Sequence, residues 1–146
     1  MINAGLTELL LGLLAILLLV AAVVDVRTFT ISNSLNLSIA LPLWPNAAIQ
    51  LAVGAGVFAL LAGAFYAGMM GGGDVKLAAA LALWFSPEST LKFLILMSLA
   101  GGVLTLFIVA LHRVRGKAGR PEIPYGVAIA FGGLAILTQR FLNQFA

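Results

Sequence analysis

Two aspartates stand out among the few residues of this chain that could carry out chemistry. The acidic residues are Glu8, Asp25, Asp74, Glu88 and Glu122. Asp25 and Asp74 each adjoin a long apolar segment, where an ionisable side chain is costly and usually functional. The three glutamates fall near predicted surfaces, where solvation explains them. Because the chain has no cysteine and a single histidine, His112, we predict neither a metal site nor a cofactor.

A pair of aspartates is suited to hydrolysis. Two carboxyl groups within hydrogen-bonding reach cannot both ionise easily, so one keeps its proton while the other activates a water molecule. The protonated partner donates to a scissile carbonyl as negative charge develops on its oxygen. Asp25 and Asp74 are therefore candidate catalytic residues of an endopeptidase that needs no metal.

Three glycines, Gly71, Gly72 and Gly73, come immediately before Asp74. Glycine adopts positive φ without steric cost and lets another backbone come close. We predict that this run interrupts the helix and gives a substrate backbone access to Asp74. Simpler interpretations exist for both aspartates. Asp74 could only cap the following helix, and Asp25 could be a surface charge paired with Arg27.

The composition identifies the solvent around the fold as a lipid bilayer. The chain is 62% hydrophobic and 9% charged, with a mean hydropathy of +1.14, whereas soluble domains are about a quarter charged. The net charge of +3 does not indicate nucleic-acid binding, because the cations cluster in short loops between apolar segments. We predict an all-α polytopic protein in contact with membrane lipids, in which residues 1–146 form one transmembrane domain without a soluble domain.

Apolar length and helix breakers divide the chain into six predicted spans. They cover about residues 6–24, 34–44, 47–70, 74–85, 87–111 and 124–142. The main breaks are Trp44-Pro45-Asn46, the glycine run, Ser86-Pro87-Glu88 and a basic loop ahead of Pro124-Tyr125-Gly126. No Lys or Arg precedes the first apolar segment, so we interpret it as a retained span rather than a signal peptide.

Charge then predicts the orientation of these spans. With six crossings, Arg27, Lys76, Arg113, Arg115, Lys117 and Arg120 share one side, and Lys92 and Arg140 share the other. The positive-inside rule places the first group in the cytoplasm and both termini outside. Trp44 and Trp84 then fall at the outer interface, and Lys76 is expected to reach lipid headgroups. Two crossings separate Asp25 from Asp74, so both lie on the cytoplasmic side.

The motifs together resemble those of the type IV prepilin peptidases, which are GxGD-type intramembrane aspartic proteases. The matching residues are Asp25-Val26-Arg27 with Ile31-Ser32-Asn33, then Gly71-Gly72-Gly73-Asp74-Val75-Lys76-Leu77, and Pro124-Tyr125-Gly126. The resemblance implies that Asp25 and Asp74 are catalytic. It gives supporting roles to Arg27, Asn33, Gly71, Gly72, Gly73, Lys76, Pro124, Tyr125 and Gly126.

The resemblance also implies a substrate: prepilins with a basic leader ahead of an apolar helix, cut at the cytoplasmic face of the bacterial inner membrane. Many family members have an additional cytoplasmic region with paired cysteines that accompanies a methyltransferase activity. This chain has no cysteine and resembles the short subgroup of Flp, or tight-adherence, pilus systems. We therefore expect a peptidase without methylation. Ser32 stands where the family usually has proline, which affects only the local backbone.

Three other interpretations remain open at this point. The presenilin and signal-peptide-peptidase branch shares GxGD, but its first aspartate typically follows tyrosine, whereas Val24 precedes Asp25 here. A small ion-coupled transporter would use the aspartates as ion sites near the bilayer midplane. A non-catalytic subunit of a pilus-assembly complex would not need them at all.

Overall fold

The computed structural model describes residues 4–40 and 47–145, and the described chain forms six helices. They are α1 (Ala4–Thr28), α2 (Asn33–Ala40), α3 (Ala47–Tyr66), α4 (Gly72–Ala82), α5 (Pro87–Val114) and α6 (Tyr125–Phe145). No strand occurs in these two ranges. The predicted all-α class with six helices is confirmed.

Four helices are long and apolar enough to cross a membrane, namely α1, α3, α5 and α6. The chain is a membrane protein. The other two are short, with 8 residues in α2 and 11 in α4. At ~1.5 Å per residue they measure about 12 and 16 Å, against about 30 Å of hydrocarbon.

The second predicted span, at about 34–44, corresponds to α2, Asn33–Ala40, and the rest of that span lies outside the described residues. The predicted break at Trp44-Pro45-Asn46 falls outside the described residues. The six-crossing topology and the placement of the termini remain predictions.

The short helix α4 lies at the centre of the bundle and contacts α2, α3 and α6. Its buried apolar residues are Val75, Leu77, Ala78, Ala80, Leu81 and Ala82. Close approach depends on small residues: a Cβ on Gly54 of α3 would lie 3.4 Å from the carbonyl oxygen of Ala79 and would overlap the Leu83 side chain. The long helices instead expose large apolar side chains such as Leu60 and Leu106, 65% and 73% exposed, which suits contact with lipid.

Two hydrogen bonds join α2 to α4. The Asn36 amide donates to the carbonyl of Gly73 over 3.2 Å, and the Lys76 ammonium donates to Asn33 Oδ1 over 2.8 Å. The predicted contact of Lys76 with lipid headgroups stays a prediction, and the structure gives the ammonium group a partner within the protein. A partner amide on a neighbouring helix lies within reach, and a charged donor forms a strong hydrogen bond with it.

Trp84, in the segment that follows α4, forms a hydrogen bond with the last turn of α2. Its side chain is 5% exposed, and the indole N–H donates to the carbonyl of Ile39. The predicted position of Trp84 in an interfacial aromatic belt is wrong, because the indole is buried and its N–H donates to a carbonyl in the last turn of α2 inside the protein. Trp44, the other tryptophan of that prediction, lies outside the described residues.

Candidate active site

Asp25 lies in the last turn of α1 and is 3% exposed. The predicted junction at this point is instead helical as far as Thr28. Asp25 Oδ2 accepts a hydrogen bond of 2.8 Å from the backbone N–H of Gly126. That N–H belongs to the first turn of α6, where backbone donors have no partner inside their own helix. The aspartate of the first helix thus caps the last helix.

Gly126 has no room for a side chain. A Cβ at this position would lie 2.7 Å from Asp25 Oδ2 and 2.9 Å from Ile31 Cδ1. The preceding Pro124 is buried, and its carbonyl accepts the N–H of Val127 over 3.1 Å. The structure therefore assigns distinct positions within the predicted 124–126 motif: Pro124 precedes the helix, and Gly126 touches the carboxyl group.

Asp74 is the third residue of α4 and is 8% exposed. Its Oδ2 accepts the backbone N–H of Gly71 over 3.1 Å, so the side chain does cap its own helix, as the simpler interpretation proposed. Among the described residues no other hydrogen bond fixes Asp74, and Oδ1 is left available for another partner. Both carboxyl groups thus lie at helix N-termini, where the positive end of the helix dipole favours negative charge.

The predicted conformation of the glycine run is wrong. None of the three glycines has positive φ: Gly71 is extended at φ −77°, and Gly72 and Gly73 already belong to α4. A Cβ on Gly73 would lie 3.1 Å from the carbonyl oxygen of Ile31 and 3.2 Å from its Cβ. The chain's own segment between α1 and α2 therefore packs closely against Gly73.

Asp25 and Asp74 line one cavity of about 520 Å³. Tyr125 closes part of the wall, and its hydroxyl lies 3.3 Å from Thr105 Oγ1. Within the described residues no group of three or more histidine, cysteine, aspartate and glutamate side chains could hold a metal ion. The two buried carboxyl groups that line the cavity are those of Asp25 and Asp74.

Three predicted supporting residues lie away from this cavity. Arg27 is exposed, and in the described ranges the one salt bridge joins Lys92 to Glu88. The proposed pairing of Arg27 with Asp25 therefore does not occur. Asn33 of α2 and Lys76 of α4 bond to each other. At 100° per residue, Lys76 lies about 200° around α4 from Asp74.

Sequence reasoning missed several residues of the site. Phe29, just after α1, lines the cavity in the left-handed region at φ 51°, and its N–H donates to the Asp25 carbonyl over 2.8 Å. Arg120 and Glu122 were assigned to a solvated loop but also line the cavity. No sequence signal marked these three residues. For Phe29 in particular, a left-handed conformation usually falls on glycine or asparagine. Asn36 lies outside the cavity but bonds to the carbonyl of Gly73, and it could have been found because its spacing from Asn33 places both amides on one helix face.

The fold and the site define a membrane protein with two buried aspartates in a common cavity. Residues 12–106, which include both aspartates, match the type IV leader peptidase family. The chain belongs to this family and is a peptidase. Comparisons with curated proteins and with solved structures gave no match. Gly126, which donates its N–H to Asp25, lies beyond the matched residues.

Proposed function

We propose that this protein is an aspartic endopeptidase that removes the leader of Flp-type prepilins at the cytoplasmic face of the bacterial inner membrane. One observation carries the proposal: Asp25 and Asp74, from helices far apart in the chain, meet in one cavity. Each has one oxygen held by a backbone N–H at a helix N-terminus. This arrangement orients the carboxyl groups and leaves the cavity accessible to a peptide.

In the proposed reaction the scissile peptide lies between the two carboxyl groups. The ionised aspartate takes a proton from water as the water oxygen bonds to the carbonyl carbon, and the protonated aspartate donates to the carbonyl oxygen. Collapse of the tetrahedral intermediate breaks the C–N bond. The aspartate that took the proton from water donates it to the leaving amine, and the other aspartate regains its proton from a hydroxyl of the intermediate as the new carboxyl group forms. The backbone donors at Gly71 and Gly126 keep both side chains in place throughout, and such fixed geometry supplies much of the rate.

The cavity wall also fits the expected leader. Glu122 lines the same cavity as the two aspartates and is exposed, so its carboxylate can pair with a basic residue of the substrate. Arg120, on the same wall, supplies the opposite charge. Glu122 can therefore bind the basic leader, while Arg120, in the same loop, can bind the adjoining segment.

A cleavage assay tests the function directly. The purified protein in liposomes is mixed with a Flp-type prepilin, and mass spectrometry identifies the new N-terminus. We expect one cut just ahead of the apolar helix, with an unmethylated product, and a rate unchanged by EDTA or phenanthroline. Absence of cleavage, or cleavage that a chelator abolishes, would contradict the proposal.

Adjacent glycines provide a matched pair for a test of the α4 N-terminus. We expect Gly73→Ala to lower the cleavage rate about tenfold or more, because the new methyl group must displace the Ile31 backbone and with it the connection that follows Asp25. Gly72→Ala should stay within about twofold, since its Cβ would make an ordinary 3.5 Å contact with the Phe65 ring. Cleavage rate and protein abundance are measured in the same membranes. Equal rates in the two variants would show that the Ile31 contact is unimportant.

A further inference from the structure

The active cavity has few side chains that could donate a hydrogen bond to the backbone of a bound peptide. Among the described residues that line it, the charged side chains are those of Asp25, Asp74, Arg120 and Glu122. Arg120 and Tyr125 are the two side chains there that donate in their usual charge state. Arg120 is exposed in the loop between α5 and α6, whereas Tyr125 is half-buried and is the first residue of α6. A donor anchored on a helix is better placed to hold a peptide carbonyl in one position.

The ring of Tyr125 packs along one face of α5. Gly101, Thr105 and Val109 are four residues apart, so they follow one another by a helical turn on that face. A Cβ on Gly101 would lie 3.6 Å from Cδ1 and Cε1 of the Tyr125 ring, and the Tyr125 hydroxyl lies 3.3 Å from Thr105 Oγ1. Val109, one turn further along α5, lines the cavity. The hydroxyl is therefore the end of the Tyr125 side chain that lies toward the cavity.

The proton of this hydroxyl is only weakly bound by its neighbour. Thr105 Oγ1 carries a single proton, which it donates to the carbonyl of Gly101 over 2.7 Å. The phenol is then the donor in the 3.3 Å contact between the two hydroxyl groups. That distance is longer than the usual range of about 2.5–3.0 Å for such bonds. Thr105 therefore leaves the phenol proton available to another acceptor in the cavity.

We propose that the Tyr125 hydroxyl donates a hydrogen bond to a backbone carbonyl of the bound peptide next to the scissile bond. This inference rests on the proposed function, in which the protonated aspartate donates to the scissile carbonyl itself. Asp25 and Tyr125 are positioned together, because the N–H that binds the Asp25 carboxyl group belongs to the next residue, Gly126. One helix end thus orients a catalytic carboxyl group and a donor for the substrate backbone.

The two tyrosines of the chain provide a matched pair of substitutions. We expect Tyr125→Phe to lower kcat/KM for prepilin about tenfold or more, because the ring keeps its packing against Gly101 and only the hydroxyl is lost. Tyr66→Phe is the control, since Tyr66 is 86% exposed and lies outside the cavity. Its rate should stay within about twofold of the wild-type rate. A Tyr125→Phe variant that cleaves as fast as Tyr66→Phe would overturn the inference.

Thr105→Val separates substrate binding from a purely structural role of the hydroxyl. Valine has nearly the shape of threonine but offers the phenol no acceptor, so the phenol proton stays available to the substrate. We expect this variant to cleave within about threefold of the wild-type rate. If the hydroxyl only tied α6 to α5, Thr105→Val and Tyr125→Phe would lower the rate equally, and that result would contradict a contact with the substrate.

Backbone esters in the substrate identify the carbonyl that is bound. Semisynthetic prepilins carry one ester at successive positions on either side of the scissile bond, because an ester carbonyl accepts a hydrogen bond less well than an amide carbonyl. The ratio of wild-type to Tyr125→Phe rates should be about tenfold for the all-amide substrate and fall to about twofold at one ester position. A ratio that is the same at every position would refute the proposed contact. Failure of the proposed function is distinguishable, because the wild-type protein would then cleave no prepilin at all.

Discussion

Replacing either Asp25 or Asp74 by asparagine is expected to lower the rate of prepilin cleavage by about 10³-fold or more. The amide oxygen of asparagine can still accept the N–H of Gly126 or of Gly71, so the helix caps seen in the structure are retained. An amide cannot take a proton from water or deliver one to a carbonyl oxygen. The substitution therefore removes the chemistry and leaves the architecture in place.

The measurement compares initial cleavage rates with protein abundance in membranes. Glu88→Gln is the control, because Glu88 lies at the far end of the bundle from the cavity, in an exposed ion pair with Lys92, and its loss should not change the rate. The double variant should be no slower than the slower single variant, since the two groups act as a unit. Residual activity above about one per cent in either single variant would count against two essential carboxyl groups.

Gly126→Ala should have the next largest effect, a fall in cleavage rate of about 10²-fold with little loss of protein. The added Cβ would lie 2.7 Å from Asp25 Oδ2 and 2.8 Å from its Cγ, so the carboxyl group must move and its 2.8 Å hydrogen bond must lengthen. A displacement of about 1 Å in a catalytic group can cost 10²-fold. Abundance should hold, because the displaced atoms are side-chain ends and alanine favours a helix over glycine by about 1 kcal/mol.

Gly102→Ala is the matched control for this substitution. It is also a glycine within a long helix, and a Cβ there meets nothing within 4 Å. Both variants gain helix propensity, but only one crowds a carboxyl group. Thermal denaturation in detergent together with cleavage rates separates the two effects. If Gly126→Ala cleaves as fast as Gly102→Ala, the α6 N-terminus does not position Asp25.

Much of the fold could be predicted because it depends on local properties. The apolar composition requires a bilayer, and helix starts follow from neighbouring residues: α5 begins at Pro87 after Ser86, whose side chain accepts the N–H of Ser89 over 3.3 Å. The choice of Asp25 and Asp74 as the candidate pair also needed only their types and their positions beside apolar segments.

Other features depend on which helices come together. The carboxyl group of Asp25 is bound by Gly126, 101 residues away, and Gly73 is small because the Ile31 backbone passes close to it. The buried indole of Trp84 donates to the carbonyl of Ile39, 45 residues away. A sequence shows that a helix end has unpaired donors and acceptors. Only the packing of distant segments decides which side chain or backbone group reaches them, and here that packing determined the environment of both aspartates.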